Sequence, residues 1–140
     1  MPGERPQLAP TARDAAGRAD LVRRAYDAWN WYGVERFGQY LADDVILEDA
    51  PDLPDAHVTR GAGEVVARLD EIAGSVGGGW VDIRTVEEIA DSVLVAMTWN
   101  VDRDGAASVS VGEVSHLVDL SLERITRIRV FLDRESAARA

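Results

Sequence analysis

The residue in this sequence best placed to do chemistry is Asp49. It follows Val45-Ile46-Leu47-Glu48, a short apolar strand, and precedes Ala50-Pro51. Alternate side chains of a strand share a face, so Asp49 points the same way as Val45 and Leu47, toward an apolar interior. A carboxylate directed there is costly unless something uses it. In a pocket walled by Leu47, Met97, Trp99 and Val101 such a carboxyl is a base usable near neutral pH. It could take a proton next to a carbonyl, or activate water. The competing reading is structural: Asp49 caps the loop at Pro51 or pairs with an arginine.

Few other residues could join it. His116 is either an acid/base partner or a sheet histidine hydrogen-bonded to a neighbouring strand. Alternation puts it opposite Ser115 and Glu113, so only one set can face the pocket. Ser115, Asn100 and Tyr26 are weaker polar partners for Asp49. His57, in a proline loop near Asp52 and Asp55, either caps the pocket mouth and meets ligand or stands in solvent. Asp43, Asp44, Glu48, Asp49, Asp52 and Asp55 crowd thirteen positions. They alternate between faces and a loop and match no metal-ligand spacing, so they read as a solvated acidic rim with no metal. Trp29, Trp80, Trp99, Tyr26 and Tyr40 could stack on a flat ligand or simply fill a core. Trp29 and Trp99 are expected to line the cavity. No phosphate loop, nucleophile elbow or dinucleotide fingerprint occurs.

The elements that must position these residues follow from periodicity. Residues 1–12 hold three prolines and little that packs, so they are expected to be a loose tail. A helix is expected over Arg13–Tyr32, with Leu21, Ala25, Ala28, Trp29 and Tyr32 on one face and Val22 and Tyr26 beside them. Gly33 breaks it. Val34–Leu41 reads as a short second helix, 45–49 as a strand, and Pro51–Asp55 as a surface loop. Gly61–Ala73 reads as a third helix burying Val65, Val66, Leu69 and Ile72. After Gly77-Gly78-Gly79 come strands at Trp80–Ile89, Ser92–Arg103, Ala107–Leu120 and Arg124–Leu132, with a hairpin turn at Asp104-Gly105. In the last strand Arg127 and Arg129 alternate against Ile128 and Val130 and face solvent or a partner. Asp133–Ala140 reads as a polar tail. Segregated helices and meandering strands predict an α+β fold, a curved antiparallel sheet with helices against its concave side.

Composition narrows the function. The chain has 140 residues and suits one domain, over 13–134, between the two tails. Net charge is −10, from 25 acids against 15 arginines with no lysine. Such a surface repels phosphate backbones, so nucleic acid is not an expected partner. No apolar run approaches the roughly 20 residues of a membrane span. Met1–Gly17 lacks the apolar middle of a signal peptide. There are no cysteines, which excludes thiolate chemistry and fits a cytoplasmic protein.

Four segments together resemble a known family. Tyr26–Asn30 on the first helix, "YLADDVILEDAPDLPDAHVTRG" from Tyr40 to Gly61, His116, and "ITRIRVFLD" from Ile125 to Asp133 resemble the SnoaL-like branch of the nuclear transport factor two fold. The resemblance implies a cone: the sheet wraps around about three N-terminal helices and leaves an internal pocket. It also implies a homodimer through the outer sheet face. The fold hosts isomerases, cyclases, dehydratases, epoxide hydrolases and non-catalytic binders. In ketosteroid isomerases the base ends the first strand in a "VEDP"-like context, which Asp49 in "LEDAP" resembles. Ala25 stands at their first-helix tyrosine, with Tyr26 one residue away, and Ser115 at their late-strand aspartate. His116 resembles the histidine of SnoaL-type cyclases, while Val130 stands at their aspartate. Against the Asp–Arg–Asp trio of limonene-type epoxide hydrolases, Asp102 resembles one acid, Asn100 replaces the arginine and Val130 the other acid. The expected activity is cofactor-independent isomerisation, cyclisation or dehydration of a small apolar molecule. Asp49, His116 and Ser115 would be catalytic. Tyr26, Trp29, Tyr40, Leu47, His57, Met97, Trp99, Val101, Ile128 and Val130 would line the pocket. The alternatives are a non-catalytic binding or dimerisation module, and water activation of the epoxide-hydrolase type.

Overall fold

A first helix, α1, runs Pro10–Tyr32. It starts three residues before the expected position, on a proline whose fixed φ and missing N–H suit a first helical turn. The computed structural model describes residues 10–53, 55–75, 80–101 and 109–140, with side chains for 17–53, 55–73, 80–100 and 112–140. Most of the N-terminal tail, the triple glycine and the Asp104-Gly105 turn therefore lie outside the described residues.

The buried stripe of α1 is Val22, Ala25, Tyr26, Ala28 and Trp29. Ala25, Ala28 and Trp29 lie on it as expected, whereas Tyr32 is 70% exposed and stacks under the Arg36 guanidinium at 4.6 Å. At Gly33 φ is +105°, which a side chain would resist, and the chain turns there into α2 (Val34–Gly38). Gly38 also lets α2 touch α3 (Ala62–Ser75), since a Cβ there would lie 2.6 Å from Val66 Cγ2.

The strands are β1 (Leu41–Glu48), β2 (Val58–Arg60), β3 (Trp80–Ile89), β4 (Ser92–Val101), β5 (Val109–Ser121) and β6 (Arg124–Phe131). They form one six-stranded sheet in the order β2-β1-β6-β5-β4-β3. The fold is α+β with a curved, unclosed sheet. One feature departs from the expected all-antiparallel sheet. β1 runs parallel to β6, pairing Leu47 with Ile128 and Glu48 with Arg129. More than seventy residues separate the two strands, so the chain is free to return in either sense, which no local pattern dictates.

Two further corrections concern short elements. β2 falls past the expected Pro51–Asp55 loop, in a stretch to which no element was assigned; its three residues pair with Ile46, Leu47 and Glu48 of β1. The polar C-terminus forms α4 (Arg134–Arg139). Asp133 caps it, accepting from the Ser136 N–H at 2.7 Å, and that bond holds the Asp133 carboxyl below the usual carboxylate range.

The sheet buries both faces unequally. Val45, Leu47, Val93, Val95, Met97, Val118, Ile125 and Ile128 join α1–α3 residues in the main core. On the other face Leu94 and Leu117 form a smaller cluster under Ala137 of α4, beside Ile89 and Phe131. The edge strand β3 is clipped by a side chain. Asn30 donates Nδ2–H to the Val81 carbonyl at 2.7 Å and accepts the Val81 N–H at 3.0 Å, copying a neighbouring strand. No helix among the described residues is long and apolar enough to cross a membrane.

Candidate functional site

Asp49 stands one residue beyond β1, and its N–H still donates to the His57 carbonyl at 3.2 Å. Its side chain is fully buried, 0% exposed. Oδ2 accepts from Arg68 Nη2 at 2.6 Å and, at 3.3 Å, from the His57 backbone N–H. The His57 ring, half-exposed, brings Nδ1 to 3.6 Å from the same oxygen. Oδ1 is buried and makes no hydrogen bond. Arg68, on α3, is itself only 10% exposed; Nη1 donates to Glu71 at 2.8 Å, and Nε is buried without a partner. Hydrogen bonds donated to Asp49 first and Glu71 second hold the guanidinium even further above its ordinary range. Two charges removed from water are tolerable because each neutralises the other; deleting one partner of such a pair costs about 3–5 kcal/mol.

The second polar pair is Tyr26 with His116. Tyr26 Oη lies 2.7 Å from His116 Nδ1, and both residues are buried. Burial pushes the His116 imidazole down to about 4 and the Tyr26 phenol well above its usual range. Both are therefore neutral at pH 7, and the bond joins a phenol to an uncharged imidazole. Around them Phe37 packs edge-on to Tyr26 at 4.9 Å, and Trp29 meets Trp99 in a T-shaped contact at 6.0 Å.

Strand register relates the two pairs. Glu48, the last residue of β1, is level with Arg129, and Asp49 and Val130 are the next residue of each chain segment. Val130 in turn faces His116 across β6–β5, and His116 faces Val95. Val130, His116 and Val95 form one row on the helix-covered face, with Asp49 just past the end of β1 beside it. The carboxylate and the imidazole stand two strand spacings apart, about 10 Å between backbones. Val130 between them is packed against the core yet only partly buried. A small molecule over Val130 would meet a carboxylate on one side and a neutral donor–acceptor pair on the other.

The remaining expected residues divide. Leu47, Met97, Ile128, Tyr26 and Trp29 are buried in the main core, with Tyr40, Trp99 and Val130 half-buried against it. His57 lies beside Asp49 as described. The side chain of Val101 lies outside the described residues. Ser115 is not brought to the row. It is directly opposite Ala96 and Phe131, on the α4 face with Leu117, because His116 takes the helix-covered face. Asn100 shares the parity of Thr98 and faces the same way as Ser115. Four acids of the expected solvated rim stand in solvent. Asp43, Asp44, Asp52 and Asp55 are exposed, and Glu48 turns to Arg127 at 2.7 Å. Among the described residues no cluster of His, Cys, Asp or Glu could hold a metal. A cavity of about 530 Å³ lies between the α1–α2 turn and α3, lined by Tyr32, Val34, Glu35, Gly63, Val66 and Asp70 among others. None of the expected pocket residues lines it.

Arg68 is the residue that sequence reasoning missed. Its signal was present: it falls three after Val65 and four before Ile72, at the margin of the apolar face of α3. The Tyr26–His116 bond spans ninety positions and had no local signal.

These features belong to a recognised class. The SnoaL-like domain family matches residues 22–128, and the chain belongs to that family. The solved structures it resembles share the NTF2-like fold. Bal32a, from a soil-derived mobile gene cassette, superposes with a TM-score of 0.70 at 18% identity, over 89% of this chain and 95% of that one. TerC, crystallised with polyporic acid, gives 0.67 at 16% identity, over 85% and 93%. An epoxide hydrolase of the LEH-like type from M. tuberculosis gives 0.64 at 20% identity, over 86% and 85%. At these identities the likeness is one of fold. No curated protein matches the sequence.

Proposed function

We propose that this chain is a cofactor-independent enzyme acting by proton transfer on a small, largely apolar molecule in the cytoplasm. The observation that carries the reading is Asp49: a fully buried carboxylate with one oxygen engaged by Arg68 and the other unpartnered. A buried acceptor left over in this way can take a proton from carbon next to a carbonyl and return it elsewhere, which is isomerisation. The developing enolate oxygen needs a donor, and the neutral Tyr26–His116 pair across Val130 can supply one without a charge. A dehydration or ring closure would use the same two groups. Dimerisation through the outer sheet face belongs to the same reading.

The test is hydrogen exchange. Apolar ketones in D₂O are followed by NMR for protein-dependent deuteration next to the carbonyl. Asp49→Asn is expected to lower the rate about 100-fold or more, the usual worth of a positioned base. An Asp49→Asn protein that exchanges as fast as the parent would remove Asp49 from the mechanism.

One observation favours a second reading. A carboxylate bound to a guanidinium is also suited to orienting water: a proton passes to Asp49 Oδ1 as the water oxygen attacks an epoxide carbon, the ring C–O bond breaks, and the freed oxygen takes that proton back from Oδ1. A diol formed from a small epoxide, with ¹⁸O from labelled water, would favour it over proton shuttling. A ligand that stabilises the protein yet is recovered unaltered would favour a binding module.

A further inference from the structure

We propose that Asp49 and Arg68 together form a hydroxyl-binding site, so that the ligand carries an alcohol or phenol O–H. This rests on the reading of Asp49 as part of a ligand site, and it adds what the site recognises. The Arg68–Asp49 contact is single-pointed. Nη2 meets Oδ2 at 2.6 Å, whereas a bidentate pair would also have joined Nε or Nη1 to Oδ1. Nη1 is turned to Glu71 instead. The result is one leftover acceptor, Oδ1, and one leftover donor, Nε, both buried and both without partners. Each lies one carbon away from the same short contact. Burying either group unsatisfied costs about 1–3 kcal/mol.

The chemistry of the leftover pair selects the ligand. A carbonyl or ether could accept from Nε but would leave Oδ1 bare. An ammonium could donate to Oδ1 but would face the guanidinium charge. A carboxylate would be repelled by Asp49. A hydroxyl both donates and accepts through one atom, so a single group can serve both the leftover acceptor and the leftover donor. Apolar neighbours suit the rest of such a molecule: Ala50 is buried beside Asp49, and Leu47 lies below it on the same face. The partially accessible Val130 leads from there along the row to His116. Arg68 is thus a specificity residue: it fixes Asp49 with one nitrogen and reads the ligand with another.

The experiment uses two probes of similar size, phenol and fluorobenzene, which differ in the hydroxyl. The ¹⁵N–¹H signal of Arg68 Nε is followed in the full chain, assigned by its loss in Arg68→Lys. Phenol is expected to move this signal saturably, and fluorobenzene to leave it in place. Phenol is expected to bind about tenfold more tightly than fluorobenzene to the parent, a ratio that falls several-fold in Arg68→Lys, which keeps a charge for Asp49 but has no Nε–H. Equal responses to the two probes, no response to phenol, or an unchanged ratio in Arg68→Lys would overturn the proposal. The parent titration needs no variant to fold. No turnover enters the readout, so the hydroxyl site can fail while Asp49 remains a base, and Asp49 can prove inert while phenol still binds at Arg68.

Discussion

Replacing His116 by Phe should flatten the acid limb of the stability curve. In the fold the imidazole titrates near pH 4, held there by burial. In the unfolded chain it titrates near 6.5. Between those values the unfolded chain binds a proton that the folded one refuses. The stabilisation from keeping the ring neutral is therefore complete above pH 6.5 and drains away as pH falls toward 4. At about 1.4 kcal/mol per unit, the drop from pH 7 to 4.5 removes about 2–3 kcal/mol. His116→Phe keeps an aromatic ring on the row but has nothing to titrate. It also strands the Tyr26 hydroxyl, which now bonds Nδ1 at 2.7 Å. That penalty of about 1–3 kcal/mol is the same at every pH in the window, because a phenol stays protonated throughout. The assay is urea unfolding at several pH values between 7 and 4.5, read by tryptophan fluorescence. The parent should lose about 2–3 kcal/mol more than the variant over this range. Parallel curves for the two proteins would show that His116 is not held neutral by the fold, and the neutral-donor role of the Tyr26–His116 pair would fall with it.

Two stability predictions test how the scaffold holds that row. Asn30→Ala leaves the Val81 N–H and carbonyl without their side-chain partner at a buried position. It should cost about 1–3 kcal/mol in urea unfolding and speed amide exchange at Val81, and unchanged exchange there would show that the clip is dispensable. The β5–β6 turn places Leu122 and Glu123 at φ of +51° and +66°, where bulky residues are strained. The double replacement Leu122→Asn and Glu123→Gly, the pairing such a two-residue turn prefers, should stabilise by about 1 kcal/mol and raise Tm by a few degrees. An unchanged or lower Tm would mean that Leu122 makes a contact worth more than the strain.

The long elements were legible in the sequence because each repeats one period over many residues. Trp80–Ile89 has the expected bounds, and Val93, Val95, Met97 and Trp99 alternate as their spacing says. Shorter elements were not legible. β2 has three residues and no periodicity of its own, and it exists because β1 offers it an edge. α4 has six residues, and the packing of Ala137 against Leu94 and Leu117 decides that it is a helix and not a frayed end. The two tight turns at Ala90-Asp91 and Leu122-Glu123 carry no glycine or asparagine, so turn chemistry gave no sign of them.

The sequence alone determined that a carboxylate would enter an apolar interior at Asp49, because strand alternation is a local property of the backbone. It also determined that only one of Ser115 and His116 could face the helices. Which one did, and what each polar group found there, were decided by tertiary structure. Adjacent strand residues point oppositely by the same rule whichever face is buried, so the choice rests on how β5 registers with β4 and β6. Likewise the parallel pairing of β1 with β6 carries the chain to Asp49 beside the end of β6, and the packing of α3 brings Arg68 to Asp49. Those are relations between segments far apart in the chain, fixed by the competition of whole surfaces for burial, and no window of neighbouring residues contains them.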